Sequence, residues 1–421
     1  MTTSPSSNFP ASLQTSAMLD TFPTRKILIV GDVMLDEYLW GNVRRICPEA
    51  PVPIVESRER SARPGGAANA AANVAALGGT AWLCGVTGSD QAGELLRRAL
   101  SEAGVEPDGL IACGDRPTTA KLRIIAHSQQ VLRIDTEKTH PLSRDAADRL
   151  IAQVESHMRE ADALLLCDYA KGALSAEMTA HFIALARRRV WDVSPPPVSP
   201  PRKQGIDRLP EQPVAPLLAR RVNGRRANGS LPVVVDPKGR DYSPYRGATV
   251  IKPNLHELET LLGSRIRQNS GLARVQDPNS GEFGYPAGEF GYPAGEFGYP
   301  AGEFGYPAGE FGYAEAVGRL TRELDGAAVL VTQGAEGMTL FEPGVEPWHQ
   351  PAAGVRPVFD VTGAGDTVVS VLALALACGA PLRQAVQIAN VAANVVVGKL
   401  GTAVVTMEEL RGAIACAGWS S

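Results

Sequence analysis

The chain lacks any run of about eighteen apolar residues, so the sequence predicts no membrane span. Residues 1–24 are polar and rich in Ser and Thr, without a basic stretch followed by an apolar one. That excludes a secretory signal and leaves a disordered tail as the expectation. Cysteine is sparse: positions 47, 84, 113, 167, 378 and 416 carry it, with no CxxC and no His at ligand spacing. A structural zinc site is therefore excluded, and reduced, buried thiols in a cytosolic enzyme are expected. The formal net charge is only −4, which gives no basis for wholesale binding to nucleic acid or an acidic membrane. A glycine-rich dinucleotide fingerprint is also missing: GDVMLD at 31–36 offers Gly31 alone, so a Rossmann-type cofactor site is disfavoured.

What is present is an alternation of apolar strand-like runs with helix-like stretches. ILIV at 27–30, AWLCGVTG at 81–88, ALLLC at 163–167, PVVVD at 232–236, ATVI at 248–251 and AAVLVT at 327–332 read as buried strands. An Ala-rich helix over 66–77 ends at Gly78-Gly79. Continuous apolar strands between helices predict an α/β fold with a mostly parallel central sheet flanked by helices. In such sheets the ligand crevice lies beyond the strand C-terminal ends, where Asp32, Asp36, Asp168, Lys171, Asp236, Lys238, Asn254, Glu257 and Thr332 fall. Segments 42–60 and 117–136 alternate like strands and carry several charges; they form either a small β-lid over the crevice or two exposed sheet edges.

Two insertions interrupt this rhythm. Residues 192–230 hold PPPVSPP and a cluster of Arg220, Arg221, Arg225 and Arg226, and read as an exposed irregular excursion or a basic interaction patch. Residues 281–313, within an irregular insertion over 271–313, repeat GEFGYPA four times and then GEFGY. Gly and Pro in every copy exclude a coiled coil despite the period of seven, leaving a surface loop or an aromatic interaction module.

The chemistry concentrates at DVTGAGD, 360–366, which runs into the apolar stretch TVVSVLALALA. A Gly-rich turn lets backbone N–H groups converge on an anion, and the free N–H groups of the following helix add to them. Asp366 stands where turn becomes helix, placed to take a hydroxyl proton during phosphoryl transfer. GGAAN at 65–69 opens the Ala-rich helix; Asn69 either bonds a sugar hydroxyl or the small residues serve close packing. Asn254 and Glu257, three apart on one turn, could hold a hydrated Mg²⁺ beside a triphosphate or simply cap a helix. Lys238 in DPKG is a phosphate contact or a solvated side chain, and Arg44, Arg45, Lys121, Arg123 and Arg133 form a basic set in the lid segments.

Together these motifs resemble the PfkB, or ribokinase-like, carbohydrate kinases, from about residue 25 to 415 outside the insertions. RRICPEAPVPIVE (44–56), RPGGAAN (63–69), DYAKGAL (168–174), DPKGRDYSPYRGAT (236–249) and KPNLHELE (252–259) are most similar to the branch acting on D-glycero-β-D-manno-heptose 7-phosphate. The resemblance implies a single kinase domain over 25–415 with short tails at 1–24 and 416–421, and Asp366 as catalytic base. It implies an anion hole from the N–H groups of Gly363, Ala364 and Gly365. Nucleotide contacts would come from Asn254, Leu255, His256, Glu257, Thr332, Gly334, Gly337, Asn390, Gly398 and Thr402. Asp36, Gly65, Gly66, Asn69, Lys121, Arg123, Arg133, Asp168 and Lys238 would surround the sugar phosphate. ATP would be the donor, with Mg²⁺ met through water by Asn254 and Glu257, and with a monovalent cation as a further option. The product would be a 1,7-bisphosphate on the way to ADP-heptose and lipopolysaccharide, made by a cytoplasmic homodimer paired through the lid. Two departures stand out. Val371 replaces a small residue that ribokinases favour, and the nucleotidyltransferase domain many relatives carry is expected from another protein. A kinase for another sugar or a nucleoside, and a silent sugar- or nucleotide-binding protein, are the competing readings.

Overall fold

The computed structural model describes residues 11–127, 129–188, 230–262, 313–353 and 360–416. The readings placed on residues 192–229, on 271–312 with its repeat, and on 417–421 lie outside the described residues.

The first half of the chain holds α1 (Ala11–Leu19), β1 (Lys26–Gly31), β2 (Val33–Ile46), β3 (Pro53–Gly66), α2 (Ala67–Ala76), β4 (Thr80–Gly88), α3 (Gln91–Glu102), β5 (Leu110–Cys113), β6 (Ala120–Ala126), β7 (Gln129–Thr136), α4 (Arg144–Met158), β8 (Ala163–Cys167) and α5 (Ala176–Arg188). The second half holds β9 (Val233–Asp236), β10 (Val250–Ile251), α6 (Leu255–Leu262), α7 (Tyr313–Glu323), β11 (Ala328–Thr332), β12 (Met338–Phe341), β13 (Trp348–Gln350), α8 (Ala364–Ala377), α9 (Leu382–Val396) and α10 (Met407–Cys416). Short 3₁₀ turns fill several connections.

The central sheet runs β13-β12-β11-β10-β9-β8-β1-β4-β5. From β11 to β5 every pairing is parallel; β12 and β13 add an antiparallel edge. The expected α/β class and mostly parallel sheet are therefore borne out. The strands KILIVG, ALLLC and VVVD are almost wholly buried because helices cover both sheet faces. One core layer gathers α2, α8, α9 and α10; the other gathers α4, α5, α6 and α7.

Helix α8 explains much of the site's placement. Every residue from Asp366 to Ala377 is buried, so this helix is packed on all sides and its N-terminus is fixed. Its neighbour α2 is nearly all Ala, and the small side chains let the two helices approach closely. A polar seam locks their register: Thr367 Oγ1 donates to Asn73 Oδ1 at 3.0 Å, and Ser370 Oγ to the Ala70 carbonyl at 2.9 Å.

The second sheet, β3-β2-β6-β7, forms a lid. β2 and β3 pair antiparallel, β2 and β6 parallel, and β6 and β7 antiparallel. It covers more chain than the segments 42–60 and 117–136 suggested, because β2 begins at Val33, directly after β1. The tail expected over 1–24 is corrected from residue 11 on. Helix α1 and the turn after it bring Leu19 and Phe22 into the core, 1% and 0% exposed. Two apolar anchors three residues apart outweigh the polar composition around them.

Candidate active site

The turn at 360–366 delivers its carboxylate as the sequence suggests. Gly363 caps α8 with φ of 80°, a left-handed conformation. A Cβ there would stand 2.7 Å from Asn69 Nδ2, so only glycine lets the turn lie this close to α2. Asp366 is in the first turn of α8 and 9% exposed. Asn69 Nδ2 donates to its Oδ2 at 2.7 Å and the Tyr169 hydroxyl to its Oδ1 at 2.6 Å. Burial pushes the Asp366 carboxyl up to about 7; these two hydrogen bonds oppose the rise and the nearby Asp236 charge adds to it. A base poised near neutrality suits proton removal from a hydroxyl.

The amides of Gly363 and Gly365 have no acceptor among the described residues, but Ala364 N donates to the Val361 carbonyl at 3.2 Å. The turn closes on itself at Ala364, so of the three expected amides those of Gly363 and Gly365 are left without a partner among the described residues. A cation lies beside them. Lys252 Nζ lies 3.3 Å from where a Gly365 Cβ would be, and forms an ion pair with Asp236 at 3.0 Å. Both residues are buried, Lys252 to 3% and Asp236 to 4% exposure. Burial pulls the Lys252 ammonium down, but the Asp236 and Glu257 charges outweigh it and hold it above its ordinary value. A fixed positive charge and free amides thus surround the space in front of Asp366, where a transferring phosphoryl group would be stabilised.

The loop after β8 completes this wall. Asp32 accepts backbone N–H bonds from Tyr169, Lys171 and Ala173 at 2.9, 3.0 and 3.0 Å, which fixes the loop's path. Asp168 turns away from the centre, accepting from the Tyr245 hydroxyl at 2.8 Å and from Ala170 N at 3.0 Å.

On the lid side, Asp36 is buried against the Arg123 guanidinium. Gly65 pairs with Met34 and lies diagonally across the β2–β3 ladder from Asp36; a Cβ there would collide with Asp36 Oδ2. Gly66 caps α2. The basic set is largely neutralised in place: Lys121 lies 3.4 Å from Asp135 and 3.9 Å from Glu137, and Arg133 pairs with Asp135 at 2.8 Å. Asn69, expected at a sugar hydroxyl, spends its amide on Asp366. Lys238, expected on the sugar side, pairs instead with Glu257 at 2.9 Å on the opposite side of the crevice.

Of the residues expected at the nucleotide, Asn254, Glu257 and Thr332 meet at the ends of β10 and β11. Asn254 bridges to Thr332 in parallel fashion. Asn254 Oδ1 accepts from Glu257 N at 2.8 Å, and Glu257 Oε2 accepts from Asn254 N at 2.9 Å, a reciprocal cap that opens α6. Leu255 and His256 follow within that first turn, His256 exposed. Gly334 and Gly337 flank a 3₁₀ turn between β11 and β12. Asn390 of α9 donates to the Pro351 carbonyl at 2.6 Å. Gly398 and Thr402 belong to the loop between α9 and α10, and Thr402 N donates to the Tyr38 hydroxyl of the lid at 3.0 Å. Among the described residues no three His, Cys, Asp or Glu side chains converge on a point that could hold a metal. The described residues therefore form no all-protein cage; Asn254 and Glu257 bond each other and would reach a phosphate-carried ion only through its waters.

Three participants escaped the sequence reading. Lys252 is the residue after β10, so the strand-end rule that picked Asn254 could have found it. Tyr169 reads as an ordinary core aromatic. Asp360 accepts from Thr362 N and Gly401 N, both at 2.9 Å, and so ties the turn to the 398–402 loop.

Comparison with known proteins agrees with this arrangement. Relatives named "Bifunctional protein HldE" are 39% identical over 393 residues in Azotobacter vinelandii and in Pseudomonas aeruginosa strain UCBPP-PA14, covering 93% of this chain and 64% of each relative. The chain thus spans just under two thirds of the length of the curated relatives it matches. Among solved structures, Arabidopsis thaliana ribokinase complexed with ribose and ATP aligns with a TM-score of 0.57 at 18% identity, over 93% of this chain and 98% of that one. Phosphofructokinase-2 from Escherichia coli in complex with potassium aligns with a TM-score of 0.59 at 16% identity, over 94% and 99%; both show a shared ribokinase-like fold. The family model described as "pfkB family carbohydrate kinase" matches residues 24–215 and 312–409, a span that holds the 360–366 turn, Asp366 and the second sheet. With more than half of its length matched, the chain belongs to the pfkB family of carbohydrate kinases.

Proposed function

We propose that the chain transfers the γ-phosphoryl group of ATP to the anomeric C1 hydroxyl of D-glycero-β-D-manno-heptose 7-phosphate, giving the 1,7-bisphosphate in the cytoplasm on the route to ADP-heptose and lipopolysaccharide. The observation that carries the reading is Asp366, its carboxyl held near 7 by burial, set between free turn amides and the buried Lys252. The heptose substrate is supported by the long stretches that resemble that branch, RPGGAAN, DYAKGAL and KPNLHELE among them.

In this reading the sugar lies between Asp36, Gly65, Gly66 and the lid, and the triphosphate between Asn254–Glu257, the Gly334–Gly337 turn and the 398–402 loop. Asp366 accepts the C1 hydroxyl proton. Gly363 N, Gly365 N and Lys252 hold the equatorial oxygens of the transferring group. Mg²⁺ would neutralise charge on the phosphates, its waters met by Asn254 and Glu257. A monovalent cation is a further option, supported by the fold shared with a protein solved in complex with potassium. Asp36 would accept from sugar hydroxyls, with Arg123 fixing its orientation.

The same reading includes a homodimer. Lid strand β7 is exposed along its whole length and shows Val131, Leu132 and Ile134 at 43%, 52% and 46% exposure. An outer strand with an apolar face and a free edge suits pairing with a second copy.

A coupled assay of ADP release tests the substrate assignment with heptose 7-phosphate, fructose 6-phosphate and ribose offered separately, and ³¹P spectroscopy of the product. The reading expects turnover with the heptose phosphate and a new anomeric phosphate. Equal turnover with fructose 6-phosphate or ribose would overturn it.

A further inference from the structure

Tyr169 touches both buried carboxylates at the centre of the site. Its hydroxyl lies 2.6 Å from Asp366 Oδ1 and 3.1 Å from Asp236 Oδ2. A phenol has one proton and cannot donate to both at once. We propose that Tyr169 is a positioning residue for the base, its hydroxyl donating a hydrogen bond to Asp366 before phosphoryl transfer and to Asp236 after it. The proposal rests on the kinase reading above.

The groups facing Asp366 come from five elements. Asn69 stands on α2, Tyr169 on the loop after β8, Asp236 at the end of β9, Lys252 just after β10, and Cys167 at the end of β8. Burial holds the Cys167 thiol and the Tyr169 phenol well above their ordinary values, so both keep their protons at neutral pH. Asn69 donates an amide proton, which leaves Tyr169 as the donor with a second carboxylate in reach. Asp236 is held by Lys252 at 3.0 Å and offers a lasting acceptor. Asp32 pins the backbone at Tyr169, Lys171 and Ala173, so the phenol oxygen stays between the two carboxylates while its proton turns.

The transfer step balances without Tyr169 gaining or losing a proton. The sugar hydroxyl gives its proton to Asp366, and its oxygen forms a bond to the γ-phosphorus. The bond from that phosphorus to the β–γ bridging oxygen breaks, and the electron pair leaves with ADP. Asp366, now neutral, is a poorer acceptor, and the Tyr169 proton swings to Asp236.

The test is kcat against pH from 5.5 to 9, at saturating ATP, Mg²⁺ and heptose 7-phosphate, for the parent and Tyr169→Phe. Differences between the two proteins cancel the titration of the sugar phosphate itself. Loss of a hydrogen bond to the ionised base raises its pKa, so the acidic limb should move to higher pH by about one unit, with the deficit shrinking toward pH 9. An equal proportional loss at every pH would mean a merely structural role and would overturn the proposal. Where Tyr169→Phe melts before assay, Asp236→Asn serves instead. Removing that neighbouring charge and committing the tyrosine proton to Asp366 should move the limb down, and an unmoved limb overturns the proposal. A parent with no sugar-dependent turnover removes the kinase reading and this proposal together; a kinase-active parent with unmoved limbs removes this proposal alone.

Discussion

At the residue scale the site is a small set of buried charges held in tension. Asp366 sits where a carboxylate is disfavoured, and its raised value is a stability statement as well as a catalytic one. In the unfolded chain it titrates near 3.8 and in the fold near 7. Between those values the native state binds the extra proton, so stability falls as pH rises through that window and is level above it. Asp366→Asn removes this titration. The variant should gain stability relative to the parent from about pH 4 to about pH 7, by about 4 kcal/mol in all. Urea unfolding at pH 5 and pH 8 checks it; a gap independent of pH would refute the raised value. Asp366 was legible in the sequence because turn, acid and helix are contiguous. Tyr169 and Asn69 were not legible in these roles, because their partner lies 197 and 297 residues away along the chain.

At the scale of elements, the lid is tied directly to the loop expected to receive the nucleotide. Tyr38 of β2 accepts from Thr402 N at 3.0 Å. Arg63 of β3 donates to the Leu400 and Thr402 carbonyls at 3.0 and 3.2 Å. Both Arg63 and Arg123 lie over the Tyr38 ring, and Arg123 pairs with Asp36. A path of contacts therefore runs from the sugar side to the 398–402 loop, and through Asp360 to the anion-binding turn. Tyr38→Phe leaves the Thr402 amide without its acceptor, at a cost of about 1–2 kcal/mol. Amide exchange across 400–403 should speed up about tenfold, and exchange at the parental rate would show that the contact does not hold the loop. Strands β1, β4, β8, β9, β10 and β11 were legible from their apolar runs and much of the lid from its alternation, whereas the short edge strands β5, β12 and β13 were not. The order in which the strands pair was not legible either, since period-two alternation does not name a partner. The partners of the basic lid residues were hidden for the same reason: Asp135 meets Lys121 across the β6–β7 ladder, and Glu137 lies just past it.

At the scale of the whole molecule, one mostly parallel sheet carries the strand ends of the candidate site, and the second sheet joins it where β2 follows β1. The family match passes over 216–311, and most of the residues it covers lie among the described ones. In the proposed dimer the exposed strand β7, with Val131, Leu132 and Ile134, would be the pairing surface. Sedimentation should find a dimer in the parent and a monomer in Leu132→Glu, while a monomeric parent at micromolar concentration would remove the dimer. The central claim is that Asp366 takes the proton of the accepting hydroxyl. Steady-state kinetics of Asp366→Asn with ATP and heptose 7-phosphate test it most directly. The account predicts a fall in kcat of about 10²–10⁴-fold with little change in KM for ATP; a kcat equal to the parent's would contradict it.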